Sequence, residues 1–363
     1  MILLPIVVYP FFMLIFGLLF RSRKHPAFQE YPRISVMVAA RNEEKCIGDR
    51  IRNLLLQDYP EDRFEILVAS DASTDGTDEI VRSFEESGIH FLRFDKRMGK
   101  SALMVELSKI STGEILVFTD ANTQFRTDTV RELIEPFADP SVGCVDGSKQ
   151  NSLDSITCES IYWRYEQALK ALGSRIGAVL GATGAVFAVR RNLYNPPDPA
   201  RADDFETAVS TRIQGYSCLY NPRAVAAEPT PDDSSQYHRL VRIVSWMMGS
   251  AFSLFGKALK RKRYGLALQL ITHKILRWNM GVFAIIASIA GILLAVFESP
   301  GNPLFLSASV FNIIALAGKA FGDRMPSFLR LPYFFWLMCL ASLSGVLKAI
   351  LSQAASVWDH GAR

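Results

Sequence analysis

Residues Ile2 to Phe20 read ILLPIVVYPFFMLIFGLLF, an apolar run without a charge, and Arg21, Arg23 and Lys24 follow at once. About 20 such residues are what a helix needs to cross a bilayer. A secretory signal places its positive charges before the apolar run and a small-residue cleavage site after it. The order here is reversed, which predicts an uncleaved anchor with its N-terminus outside. Pro5 and Pro10 predict a kink in it.

The other end of the chain is apolar too. Residues 278–297, 304–321 and 332–351 predict three further spans. The middle one carries Asn312 and Lys319, with small residues that favour close helix packing in lipid. Lys and Arg follow the first span, precede the second and fill the loop between the third and fourth, whereas residues 298–303 have none. Four spans with the central segment in the cytoplasm satisfy the positive-inside rule in every loop. Between Arg239 and Arg277, Trp246, Met247, Phe252, Leu254 and Phe255 alternate with small residues ahead of KALKRKR, the pattern of a helix lying in the headgroup plane. The expected division is an anchor at 1–24, a catalytic domain at 31–235, interfacial helices at 236–277 and spans at 278–353.

Net charge is only +4, without the clustered basic face of a nucleic-acid binder. The five cysteines are scattered and form no C-x-x-C pair, which argues against a disulfide framework or zinc site. The five histidines show no metal-ligand spacing. Trp278, Trp336 and Trp358 stand near predicted span ends, where aromatic side chains anchor at the interface. Glu159, Trp163, Arg164 and Glu166 lie on a helix with a mixed face, read as solvated, with a border to an acceptor as the alternative.

From Arg33 the pattern alternates. ISVMVAA, FEILVAS, IHFLRF and EILVFTD are strand-like, and segments with apolar residues at helical spacing separate them. TDGTDEIVRSFEE opens with Thr74 in the position of a helix cap. Such alternation predicts an α/β domain built on a mostly parallel sheet with helices on both faces. Ligands of such sheets bind at the carboxyl ends of the strands. Arg41, Asn42 and Glu43 follow the first strand, Asp71 the second and Asp120 the fourth. Asp120–Ala121–Asn122 puts two oxygen-bearing side chains on one tight turn, within reach of one hard cation, Mg²⁺ or Mn²⁺, shared with substrate phosphates.

At these residues the chain closely resembles glycosyltransferase family 2, whose fold is GT-A and whose members include cellulose, chitin, hyaluronan and poly-N-acetylglucosamine synthases and ceramide glucosyltransferases. The resemblance runs from about Arg33 to Ile243 and extends to the layout of spans. It implies that ARNEE, with Ala40, Arg41 and Glu43, contacts the nucleotide base, and that Asp71 meets uracil and ribose. Lys100 in RMGKSAL stands for a lysine near the diphosphate. Asp120, Ala121 and Asn122 stand for the D-x-D motif, Asp120 and Asn122 as ligands of a divalent metal. GATGAVFAVRR, with Gly181, Thr183 and Gly184, resembles the acceptor loop. Asp204 aligns with the general base and Asp203 with its neighbour. Arg239 and Arg242 resemble the Q/R-x-x-R-W motif at the membrane, with Gln236 and Arg239 as a rival alignment. Two residues depart from the pattern: Asn122 replaces an aspartate and contributes no charge, and Ile243 stands where Trp is usual.

The resemblance implies an inverting glycosyltransferase of the cell's inner (plasma) membrane. Its donor would be a nucleotide-diphosphate sugar, with UDP favoured over GDP, and its acceptor a glycan or a lipid. The expected product is an extracellular or capsular polysaccharide, with one sugar on a polyprenyl phosphate, sphingolipid or glycerolipid as the alternative.

Overall fold

Apolar side chains of the central segment recur at every second residue in the strands and at helical spacing between them, and the chain folds on that pattern. The computed structural model describes residues 3–20, 26–151, 158–198, 201–228, 233–297, 299 and 301–351. Arg21, Arg23, Lys24 and Trp358, and the side chains of Glu159 and Gln236, lie outside the described set.

A π-helical turn, Leu4–Val8, leads into α1 (Tyr9–Leu19). Then follow β1 (Ile34–Ala40), α2 (Ile47–Leu55), β2 (Phe64–Asp71), α3 (Thr77–Arg82), β3 (Ile89–Phe94), α4 (Lys100–Ile110) and β4 (Ile115–Asp120). The next group is β5 (Gln124–Phe125), α5 (Thr129–Ile134), β6 (Val142–Asn151), α6 (Cys158–Arg175), β7 (Val186–Arg190), α7 (Asp203–Ile213) and β8 (Ser217–Glu228). The chain continues through α8 (Asp233–Lys260), α9 (Tyr264–Gln269), a π-helical stretch Leu270–Ile275 and α10 (Leu276–Trp278). It closes with α11 (Met280–Phe297), α12 (Pro303–Phe321) and α13 (Leu331–Ile350).

The strands form one mixed sheet in the order β3-β2-β1-β4-β7-β6-β8-β5. Pairings β3-β2, β2-β1 and β1-β4 are parallel, as the alternation predicts. Side chains alternate between its faces. Val36 and Val38 pack with Ile47, Ile51 and Leu54 of α2, while Met37, Leu67 and Phe118 pack with Leu103, Met104 and Leu107 of α4. Burial on both faces is what a parallel sheet requires.

Beyond β4 the sheet changes direction. β7 runs antiparallel to both β4 and β6, with Val186 opposite Thr119. An antiparallel strand begins where its neighbour ends, so the segment before Val186 lies beside the carboxyl end of β4. This reversal brings Gly181–Ala185 to the rim that carries Asp120.

Several expectations need correction. Thr74 does not cap α3. Asp75 accepts from the Thr77 amide at 3.1 Å, and the Thr74 amide donates to Asn42 Oδ1 at 2.9 Å. The backbone just before Pro10 is π-helical over Leu4–Val8, where the proline ring would clash with a tighter α turn. The apolar helix Leu4–Leu19 is short, rising about 24 Å at 1.5 Å per residue against a hydrocarbon core of about 30 Å. Met280–Phe297, Pro303–Phe321 and Ser327–Ile350 are the three helices long and apolar enough to cross a membrane among the described residues.

Glu166 is not on a solvated face: it is buried and bonded to Arg277 at 2.5 Å. Trp278 is buried edge-on against Phe205, with centroids 6.3 Å apart, rather than anchored in an interfacial belt. Trp336 donates its indole N–H to Asn312 Oδ1 at 2.9 Å, tying α13 to α12 and giving the polar Asn312 its partner.

The stripe Val244, Met248, Ala251, Leu254 and Ala258 of α8 is buried with Phe205, Val209 and Val346. Phe252, Tyr264 and Leu268 face outward from the same region. Tyr237 shares a 2.9 Å hydrogen bond with Ser344, so α8 is fastened to α13.

Candidate active site

Four parallel strands deliver their carboxyl ends to one rim, and the register makes the alignment close. Ala39 pairs with Asp120, and Ala40 with Ser70, one residue before Asp71. Just past these ends, Asn42 and Ala72 adopt left-handed backbone, with φ of 53° each. The two turns are laced together: the Glu43 amide donates to Thr77 Oγ1 at 2.8 Å, and Glu44 Oε2 accepts from the Gly76 amide at 2.9 Å. Ala40, Arg41 and Glu43 thus belong to a braced edge.

Asp71 is buried, and its two oxygens accept from the amides of Met98 and Gly99 at 2.6 and 3.0 Å. It therefore fixes the loop that leads into α4 and positions Lys100, the first residue of that helix. Lys100 Nζ hydrogen-bonds Asp120 Oδ1 and lies 3.4 Å from the carbonyl oxygen of Gly184. Burial pulls the Lys100 ammonium down, but the carboxylates of Asp120, Asp203 and Asp204 more than reverse this and raise its pKa.

Asp203 and Asp204 open α7 at the same rim. A Cβ on Gly184 would stand 3.3 Å from Asp204 Oδ2 and 3.4 Å from Lys100 Nζ, so the bare α-carbon lets these two groups face each other. Burial, reinforced by the charge of Asp203, raises the Asp204 carboxyl to about 7 against the pull of Lys100. Asp203 Oδ2 is buried with no hydrogen-bond partner among the described residues. A carboxyl near neutral pKa beside an unsatisfied carboxylate oxygen suits proton acceptance.

The residues expected to form an acceptor loop are pinned from behind. The Thr183 amide donates to Asp146 Oδ1 at 2.7 Å, and its hydroxyl takes a hydrogen bond from Lys170 at 2.9 Å. Lys170 also pairs with Asp146 at 2.6 Å. Gly181, with φ of 98°, leaves only 3.2 Å between a built Cβ and the ring of Phe205, so no larger residue fits that turn. Sequence reasoning singled out neither Asp146 nor Lys170. Their spacing along the chain carries no signal, because strand pairing and α6 bring them together.

A second support also went unread. Arg50, buried under the sheet edge, donates to Thr119 Oγ1 at 2.8 Å, and Thr119 Oγ1 donates to the carbonyl of Ala185 at 2.8 Å. This relay joins the end of β4 to the acceptor loop and sets the spacing between Asp120 and Gly184. Arg239 and Arg242 stand one turn apart on α8, with Arg242 over the Trp246 ring at 5.8 Å. Ala121 is buried in the turn after β4, and Asn122 follows it there.

The donor set suits a hard cation shared with a ligand. Among the described residues no group of three or more His, Cys, Asp or Glu side chains is arranged to hold a metal ion. Asp120 already draws the Lys100 ammonium onto one oxygen. One carboxylate and one amide are a minimal protein share, completed in such sites by phosphate oxygens and water.

A mixed sheet of this order, with helices on both faces, is the GT-A fold. Residues 35–194 match the model of Glycosyl transferase family 2. Over 158 residues it is 29% identical to the beta-monoglucosyldiacylglycerol synthase of Synechocystis sp., covering 42% of this chain and 33% of that protein. Over 216 residues it is 28% identical to the poly-beta-1,6-N-acetyl-D-glucosamine synthase of Staphylococcus epidermidis, covering 56% of this chain and 52% of that protein. The chain thus spans between a third and about half of these relatives' length. The mannosyltransferase PcManGT from Pyrobaculum calidifontis, solved in complex with GDP-Man and Mn²⁺, shares the fold. It has a TM-score of 0.74 and 22% identity over 96% of this chain and 95% of that one.

Proposed function

We propose that the chain moves a sugar, with inversion, from a nucleotide-diphosphate sugar onto an acceptor hydroxyl presented at the membrane. The observation that carries this is the meeting of Lys100, Asp120 and Asp204 around Gly184. The donor lies over the strand ends, its base against Arg41, Glu43 and Asp71. Asp120 and Asn122 would hold a divalent cation, Mn²⁺ or Mg²⁺, which would supply positive charge to offset that of the diphosphate. The acceptor oxygen bonds to the anomeric carbon as the bond from that carbon to the diphosphate oxygen breaks. The electron pair leaves with the nucleoside diphosphate, and the hydroxyl proton passes to Asp204. One displacement inverts the anomeric centre, in the manner of inverting glycosidases. Lys100, with Arg239 and Arg242 from α8, offsets the charge of the leaving group. Asp203, with an unsatisfied oxygen, orients the incoming hydroxyl. By resemblance the nucleotide is UDP, and the domain faces the cytoplasm of the inner membrane.

The relatives act in both lipid and polymer chemistry, and the packing of the spans favours a lipid acceptor. A Cβ on Gly281 would stand 3.0 Å from the Cys339 carbonyl oxygen, and one on Gly318 would stand 2.9 Å from Tyr333 Cβ. Close approach of α13 to both α11 and α12 makes a tight three-helix group, a packing that suits a lipid against its outer face better than a glycan threaded between these helices. Synthesis of an extracellular or capsular polysaccharide is the second reading, supported by the likeness to the Staphylococcus synthase.

The deciding experiment incubates the detergent-purified protein and native lipids with Mn²⁺ and each of several UDP- and GDP-sugars. Nucleoside diphosphate release is measured and products are sized. Release with one donor and a one-sugar lipid is the expected result. A high-mass ladder would transfer the assignment to polymer synthesis, and no release with any donor would reject glycosyl transfer.

A further inference from the structure

Lys274 belongs to the π-helical stretch Leu270–Ile275, which joins α9 to the short α10 before the first C-terminal span. Single π turns recur at functional sites because they swing side chains out of α register. Here Lys274 Nζ lies 5.7 Å from the centroid of Phe205 and 6.0 Å from that of Trp278. Lys274 is half-buried. Phe205 directly follows Asp204, and the same ring underlies Gly181. The ammonium is therefore one side chain away from the base, on the acceptor side, where the chain turns into the membrane.

The carboxylates that act on it are Glu166, which is already paired, and Asp204, which accepts from the Phe205 amide at 2.7 Å and makes no ion pair to Lys274. Glu166 is bonded to Arg277 at 2.5 Å, and Asp146 to Lys170 at 2.6 Å. Lys274 itself has no hydrogen bond or ion pair to any described residue. Burial lowers its pKa to about 8, with Arg277 and Lys170 pushing the same way and Glu166 and Asp204 opposing. A desolvated cation without an anion is costly, and two ring faces offset only part of that cost.

We propose that Lys274 binds a phosphoryl group on the headgroup of a lipid acceptor, so that a hydroxyl of the same headgroup lies at Asp204. This rests on the reading of Asp204 as the base for glycosyl transfer. The transfer step is the one given above, and the phosphoryl group is bound without reacting. The site would select lipids carrying both groups over neutral diacylglycerols.

The test uses the full chain in detergent with monomeric short-chain probes: dihexanoyl-phosphatidylglycerol, dihexanoylglycerol and inorganic phosphate. Binding is read as a saturable rise in Tm, and Mn²⁺-dependent UDP binding is measured on the same samples. Lys274→Met should weaken binding of the phosphatidylglycerol probe about tenfold or more, the weight of one charge-assisted hydrogen bond. It should leave dihexanoylglycerol binding unchanged, and Lys274→Arg should retain phosphatidylglycerol binding. Equal affinity of wild type and Lys274→Met for phosphatidylglycerol overturns the assignment, and so does loss of dihexanoylglycerol binding to the same degree. Inorganic phosphate that saturates the site as tightly as the lipid probe overturns the lipid source. If Lys274→Met does not fold, the wild type must still prefer phosphatidylglycerol to dihexanoylglycerol, and no preference overturns the proposal. Intact UDP binding alongside any of these failures sinks Lys274 alone, whereas absent UDP binding in wild type sinks the transferase reading.

Discussion

Lys100 Nζ and Asp204 Oδ2 face each other across the bare α-carbon of Gly184, at 3.4 and 3.3 Å from where its Cβ would be. The ammonium is simultaneously bonded to Asp120, so one glycine separates the donor-side carboxylate from the candidate base. Gly184→Ala should wedge a methyl between them. Its backbone is not left-handed, so folding should survive. We expect an unchanged Tm and a loss of kcat/KM of about 10- to 100-fold, in line with the sensitivity of near-attack geometry to small displacements. Full activity would show that the two groups do not act together.

Asp204→Asn should keep donor binding and lower turnover by about 10²- to 10⁴-fold, the usual weight of a general base. Calorimetric titration with UDP separates the two effects, and near-normal turnover would remove Asp204 from the base role.

The pH profile follows from the Asp204 carboxyl at about 7. The carboxylate is the active form, so kcat/KM should fall as pH drops below about 7 and level off above it. The charge of Asp203 adds to the effect of burial in raising that value. Asp203→Asn should therefore move the limb to lower pH, and a limb that stays in place or moves up would contradict the coupling.

Asp120→Asn should shift the Mn²⁺ titration of nucleoside diphosphate release to higher metal concentration. Asn122→Asp adds a second charge and should shift it to lower concentration. Chelation should abolish release in the wild type. Titrations that coincide for all three proteins would reject this turn as the metal site.

Glu166 supports the fold. Burial alone would raise its pKa, but Arg277 beside it holds the carboxyl at about 2, below the ordinary 4.5. Its stabilising contribution is therefore complete above pH 4.5 and lost as pH falls through about 2. Glu166→Gln leaves Arg277 buried without its counter-charge and should cost about 3 kcal/mol at pH 7. Thermal unfolding should show the gap to wild type narrowing on acidification, and a gap independent of pH would deny the ion pair its role.

The sequence by itself determined the parallel half of the sheet, the rim residues and the C-terminal spans. These are local in origin: β-branched runs, helical spacing and uninterrupted apolar length declare themselves within a short window. Ala40, Asp71 and Asp120 were legible because parallel strands end at one rim whatever their partners. The tertiary structure decided what depends on pairing between distant segments. Only the antiparallel return of β7 places Gly184 between Lys100 and Asp204. Only the packing of α6 on the 270–278 segment buries Glu166 against Arg277, turning an apparently solvated acid into an interior ion pair. The Arg50–Thr119–Ala185 relay and the isolation of Lys274 between Phe205 and Trp278 arise in the same way. No residue in a linear sequence shows which charge already has a partner, because partnership is a property of distance in the folded chain.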